Sequence, residues 1–183
     1  MKNADNGLQP QRQPGPLGEL LGGRVQQFYA LDKPIPVAGA AGEGSAKIWA
    51  EQLQARAAQT EVPLRYGQAN GWLDGAPAVL TRRVGKGRIS YVGAWLDDAT
   101  LDRLTGDWLR DAQVRAPLAD VPADVEVGVR SEGRRRVLVL INHGSDTQQV
   151  RLPAPMRSLL GAGAASDVVQ LAPEDVAVLD ARR

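Results

Sequence analysis

Pro77-Ala-Val-Leu-Thr-Arg-Arg-Val-Gly-Lys-Gly-Arg-Ile-Ser-Tyr-Val-Gly-Ala-Trp-Leu-Asp-Asp98 reads as strand, tight turn, strand and helix start in one run. Val79, Thr81 and Arg83 alternate with Leu80, Arg82 and Val84, the period of two that a strand requires. Gly85-Lys86-Gly87 supplies residues tolerant of positive φ, as a hairpin turn needs. Ile89, Tyr91 and Val92 carry the return strand, and Asp97 or Asp98 offers a helix N-cap. The helix is predicted over residues 98–112, with Leu101, Leu104, Trp108 and Leu109 on one apolar face.

Working outward, Pro16 opens a short helix with Leu17, Leu20 and Leu21 on one face and Gly22-Gly23 as its stop. Residues 24–31, 47–53, 62–67 and 78–84 read as strands. Residues 33–45, with two Pro and three Gly, read as loop. A Pro- and Asp-containing break follows at residues 115–124, and beyond it the pattern becomes all-β. Val125, Val127 and Val129 mark a half-buried strand. Residues 137–141 are continuously apolar and predict a strand buried on both faces. Residues 149–152, 168–171 and 176–180 complete a small antiparallel sheet.

Composition narrows the function classes. Of 183 residues 43% are apolar, and the net charge is +1, so no broad electrostatic footprint points to nucleic acid or to an anionic membrane. No stretch has the apolar length of a membrane span. The opening residues 1–16 lack the apolar core of a signal peptide, which makes a cytoplasmic protein the default expectation. The chain has no Cys, which removes disulfides and thiol nucleophiles together. His143 is the only histidine; it is expected to bond the backbone of a turn rather than serve catalysis or a metal. Gly85-Lys86-Gly87 is followed by a strand and by Arg88, not by a helix and a hydroxyl, so it is a hairpin rather than a phosphate loop. Arg134, Arg135 and Arg136 read as a solvated strand entry. Among Trp49, Trp72, Trp95 and Trp108, Trp72 is expected to be the most exposed and Trp108 to lie in the core.

Several segments together resemble the glycoside hydrolase family 42 β-galactosidases. Residues 15–25, Gly-Pro-Leu-Gly-Glu-Leu-Leu-Gly-Gly-Arg-Val, are similar to that family's Gly-Pro-Leu-x-Glu-Leu-Leu-Gly-x-x-Val segment. Ile48-Trp-Ala-Glu51, Leu64-Arg-Tyr-Gly67 and the Gly-Lys-Gly-Arg hairpin follow in the family's order. Val137-Leu-Val-Leu-Ile-Asn-His143 and Val176-Ala-Val-Leu179 resemble segments of its C-terminal domain. The resemblance implies an α/β fold, part of a flavodoxin-like, class I amidotransferase-like domain, followed by a small all-β antiparallel domain. The implied division is a disordered lead-in at 1–14, a partial trimerisation domain at 15–115, a linker at 116–124 and a C-terminal β domain at 125–183.

The family's catalytic (β/α)8 barrel needs about 250 residues, more than this chain has, and no position matches the family's two carboxylates. No catalytic, cofactor-binding or metal-binding residue is therefore assigned. The chain is expected to be inactive alone and to serve assembly and scaffolding, with β-galactoside handled only by the barrel. The expected partner is a second copy or a complementary barrel-bearing subunit, met through Leu17, Leu20, Phe28, Tyr29 and Trp95. The alternative from another class is a free-standing carbohydrate-binding β module with coplanar exposed aromatics. A small enzyme of another kind lacks any supporting motif, and a gene remnant is the remaining possibility.

Overall fold

The computed structural model describes residues 4–7, 10–69, 71–161 and 164–181. In chain order the elements are α1 (Leu17–Leu21), β1 (Gly23–Ala30), β2 (Ile35–Gly39), β3 (Gly42–Ala55), β4 (Glu61–Tyr66), β5 (Pro77–Val84), β6 (Gly87–Val92), β7 (Ala94–Leu96) and α2 (Asp98–Asp111). They continue with β8 (Val125–Glu132), β9 (Arg135–Asn142), β10 (Gln148–Ser158), β11 (Ser166–Leu171) and β12 (Val176–Asp180). The chain forms two compact units, Met1–Val114 and Arg115–Arg183.

In the first unit every strand pairing is antiparallel. β1 and β2 run in succession along β3, from Gly23 opposite Ala55 to Gly39 opposite Gly42, forming one long hairpin. β2 pairs with β4, β4 with β5 and β5 with β6. β6 then continues past Gly93 into β7, which pairs back onto β3 and closes a ring of strands. The switch needs glycine: a Cβ on Gly93 would stand 2.8 Å from the Leu53 side chain. Inside lie Leu64, Leu73, Ala78 and Val79, all fully buried, with Leu96 and Leu104. Each fully buried aliphatic side chain of this kind stabilises by about 2 kcal/mol. The Tyr66 hydroxyl donates to the carbonyls of Glu51 (3.0 Å) and Gly93 (2.9 Å), satisfying both where the strands switch.

This architecture differs from the expected α/β one. A parallel sheet needs crossover helices between its strands. Here the successive strands of this unit are joined without intervening helices, and α2 follows the last of them. The loop expected at residues 33–45 is instead β2, a two-residue turn at Ala40-Ala41 and the start of β3. Its glycines serve the hairpin and the packing: a Cβ on Gly44 would meet Thr100 Oγ1 at 1.8 Å. In α2 only Thr100 and Leu104 are buried. Trp108 packs partly against the core, while Leu101 and Leu109 of the expected apolar face stay exposed.

Asp97 caps α2 and ties it to the hairpin. Its Oδ1 accepts from Thr100 N (2.9 Å), and its Oδ2 accepts from Ser45 N (2.5 Å) and Thr100 Oγ1 (3.0 Å). The amide bonds from Ser45 and Thr100 hold its pKa down at about 2.

The second unit is a five-stranded antiparallel sheet in the order β11-β10-β12-β9-β8. Its core is aliphatic: Leu138, Leu140, Val150, Leu152, Leu171 and Leu179, with Val125 and Leu118. Leu118 and Val121 pack here, so part of the predicted linker belongs to this core. Residues 137–141 are not buried on both faces. Leu138, Leu140 and Asn142 are buried, while Val137, Val139 and Ile141 between them are half-exposed. Asn142 closes the end of β9: its Nδ2 donates to the carbonyls of Asp146 (2.8 Å), Leu171 (3.2 Å) and Ala172 (2.8 Å). Its Oδ1 accepts from Gly144 N at 3.0 Å. The His143 ring does not serve a turn as expected; Nε2 lies 2.9 Å from Glu126 Oε2 on the neighbouring strand.

Candidate assembly surface

β3 is the element that builds an exposed apolar face. Phe28 stands opposite Glu51 and Ala30 opposite Trp49, so these four side chains share one side of the β1–β3 pair. Tyr29 and Ala50 take the other side and pack in or against the main core. On β7, Ala94 and Leu96 also turn to that core, which leaves Trp95 between them on the Trp49 side. Phe28 and Trp95 are both more than half exposed and Trp49 is 38% exposed. The Phe28 and Trp49 rings stack at 4.9 Å with a 19° interplanar angle.

A backbone irregularity sharpens this face. Between Ala46, opposite Leu96, and Ala50, opposite Ala94, β3 advances four residues against two on β7. Ile48 in this bulge has φ +65°, which is unusual for a β-branched residue. Its carbonyl accepts from Leu31 N at 2.8 Å, and its side chain is exposed beside Trp49. Strain of this kind persists where the surrounding structure fixes it, often at functional positions.

On the same side of the strand pair, Glu51 is buried and its Oε2 accepts from the Tyr91 hydroxyl at 2.7 Å. Burial first, then the bond to Glu51, raises the Tyr91 pKa above that of an ordinary tyrosine, so the phenol stays protonated as a donor. α1 adds Leu17 and Leu20, both exposed, while Leu21 is buried in the smaller core with Val25, Leu53 and Leu80.

Of the residues singled out from sequence, Leu17, Leu20, Phe28 and Trp95 are exposed. Tyr29 is half-buried, its ring edge-on to Trp72 at 5.6 Å, and takes no part in the exposed side. Trp72 is exposed, as its turn position predicts. Sequence reasoning missed Ile48 and the Phe28–Trp49 pair. The alternation Trp49, Glu51, Leu53 carried a signal for the second, but the bulge at Ile48 did not show in any pattern. Among the described residues no group of three or more His, Asp or Glu side chains is placed to share a metal ion, and no helix is long and apolar enough to cross a membrane. The second unit contains no aromatic residue on which a sugar could stack, and Phe28 and Trp49 stack on each other.

Residues 1–115 match the family model described as β-galactosidase trimerisation domain, and residues 124–181 match the β-galactosidase C-terminal domain. The chain is 30% identical over 168 residues to the β-galactosidase LacZ of Heyndrickxia coagulans, covering 91% of this chain and 24% of that protein. The solved β-galactosidase of the Antarctic haloarchaeon Halorubrum lacusprofundi aligns with TM-score 0.71 and 32% identity, over 100% of this chain and 26% of that one. The cold-adapted β-galactosidase of Rahnella sp. R3 aligns with TM-score 0.78 at 21% identity, over 100% of this chain and 27% of that one, and supports the fold. The chain thus spans about a quarter of the length of the relatives it matches. With both domain models matched in order along it, the chain belongs to the glycoside hydrolase family 42 β-galactosidases and corresponds to their C-terminal portion.

Proposed function

We propose that this chain is a non-catalytic assembly and scaffold segment of a family 42 β-galactosidase. In this reading, hydrolysis of terminal non-reducing β-D-galactosides belongs to a barrel-bearing part of the enzyme. Residues 15–115 are the later part of the trimerisation domain and 125–183 the C-terminal β domain, with the connecting residues 116–124 packing Leu118 and Val121 into the core of the latter. The finer fold assignment, a segment of an amidotransferase-like domain, is part of the same proposal. The observation that carries it is the exposed face of Phe28, Ile48, Trp49 and Trp95 in the region matched by the trimerisation model. Exposed apolar patches of this kind mark association sites, and Trp and Phe are enriched at interface centres. Leu17 and Leu20 extend the candidate contact surface onto α1.

Sedimentation across a concentration series tests the reading. The expected result is self-association, or tight binding to a separately produced barrel-bearing fragment, weakened at least tenfold by the Phe28→Ser/Trp95→Ser double variant. A monomer at all concentrations that also ignores the barrel fragment would sink the assembly role. The chain alone is expected to leave a chromogenic β-galactoside unhydrolysed; turnover abolished by mutating one of its own acids would overturn the non-catalytic part.

A further inference from the structure

Four arginines far apart in the chain, Arg12, Arg24, Arg56 and Arg82, line one cavity of about 760 Å³ in the first unit. Among the described residues the only acid lining it is Glu19. None of the four forms an ion pair among the described residues, although Lys47, Arg88 and Arg110 each do. Arginine carries a permanent charge. Arg12 and Arg56 are exposed and Arg24 and Arg82 half-buried, so water screens part of their repulsion, and an anion entering the cavity would meet all four charges.

Their hydrogen bonding leaves most donors free. Arg12 Nη1 donates to Gln26 O (2.6 Å), and Arg24 Nε to Gln54 Oε1 (3.1 Å). Arg82 Nη1 donates to the α1 carbonyls of Glu19 (2.9 Å) and Leu20 (3.4 Å), which fixes its guanidinium. The Nε of Arg82 is buried and has no partner among the described residues. A buried donor left unpaired is destabilising, and native structures rarely keep one without a reason. The Arg56 side chain makes no hydrogen bond within the described residues. Gly22, at φ +64°, lets the chain pack closely at the cavity wall, since a Cβ there would stand 3.1 Å from Arg82 Nη1 and 2.5 Å from Thr60 Oγ1.

We infer that this cavity is a binding site for a small polyanion bearing two or more phosphoryl or carboxylate groups. Guanidinium forks match the paired oxygens of both groups, and such charge-assisted bonds are the strong ones. The volume lies in the range of small-molecule sites, larger than one inorganic ion needs. The inference is independent of the assembly role: a monomer can hold the ligand, and an oligomer can lack it.

Thermal melting of the full chain in pyrophosphate or citrate, against NaCl at equal ionic strength, provides the test. A ligand bound only by the folded state raises the melting temperature as its concentration exceeds Kd, and a rise of several degrees is expected at 10 mM pyrophosphate. Arg56→Gln removes a charge that supports no structural bond. Its melting temperature in NaCl is expected to match or exceed that of the parent, while the pyrophosphate increment disappears. Equilibrium dialysis of labelled pyrophosphate should show binding at least tenfold weaker in Arg56→Gln and in Arg82→Lys, which keeps its charge but loses the fork. An increment in Arg56→Gln equal to the parent's, or no retained pyrophosphate at 10 mM, overturns the site.

Discussion

The two units bury their sequences with different materials. Residues 1–114 hold all four Trp, all three Tyr and the single Phe of the chain, and leave Phe28, Trp49, Trp72 and Trp95 at the surface. Residues 115–183 contain no aromatic residue and close a small core with Leu and Val. Among the second unit's described residues, only Leu159, Leu160 and Val176 are large apolar side chains exposed at the surface. A short chain has little apolar area to bury, and the second unit closes the end of β9 with a buried polar knot at Asn142. The first unit has apolar surface in excess of its core, and Phe28, Trp49 and Trp95 gather part of that excess on one side of β1, β3 and β7. The contrast teaches that exposed aromatics here are not a failure of burial. The ring of strands is already filled by Leu64, Tyr66, Leu73 and Val79.

The aromatic asymmetry also supplies a way to examine the units apart, because Trp fluorescence reports on the first unit alone. The largest effect is expected for Asn142→Leu, which leaves the carbonyls of Asp146, Leu171 and Ala172 without their donor. A cost of about 3 kcal/mol should shift the far-UV circular dichroism transition while the fluorescence midpoint stays in place. Equal shifts in both signals would show that the units melt as one and would remove the basis for treating them separately. Gly44→Ala comes next. Its Cβ would clash with Thr100 at the start of α2, and about 2 kcal/mol should be lost, this time in the fluorescence transition.

Asp97→Ala should cost about 1 kcal/mol through loss of the cap, with a pH signature. The Asp97 carboxyl is held at about 2 in the folded protein against an ordinary value of 3.8. Its contribution is therefore complete above pH 4 and is lost as pH falls from about 4 to about 2. Urea melts of parent and variant should converge across that window; a constant difference would show that the cap carboxylate is not what titrates. The smallest effect is expected at the exposed Phe28–Trp49 stack. A double-mutant cycle to Ala should give a coupling of about 0.5–1 kcal/mol. A coupling near zero would mean the stack forms only when a partner covers it.

Much of the local structure was legible in the sequence. The two-residue hairpin loop at Gly85-Lys86, with Gly85 at φ +58°, and the Asp97 cap follow from residue type and position. The exposure of Trp72 follows from its turn. The loop predicted at residues 33–45 failed because glycines that tertiary packing demands, such as Gly44 against Thr100, look the same as glycines that break strands. The both-faces burial predicted for residues 137–141 failed for a related reason. A run of Val, Leu and Ile states what a strand can bury, not how many faces are covered.

By itself the sequence determined the hairpin and helix of residues 77–112, the change of character near residue 115 and the order of family segments, because these depend on residues adjacent in the chain. Tertiary structure alone decided the antiparallel ring, in which β7 returns to β3 after β6 has paired with β5. It alone exposed Ile48 in a bulge and buried Glu51 against the Tyr91 hydroxyl. It also gathered Arg12, Arg24, Arg56 and Arg82 around one cavity. Arg24 lies on β1 and Arg82 on β5, while Arg12 precedes α1 and Arg56 follows β3, and only the pairing of distant strands brings their charges together.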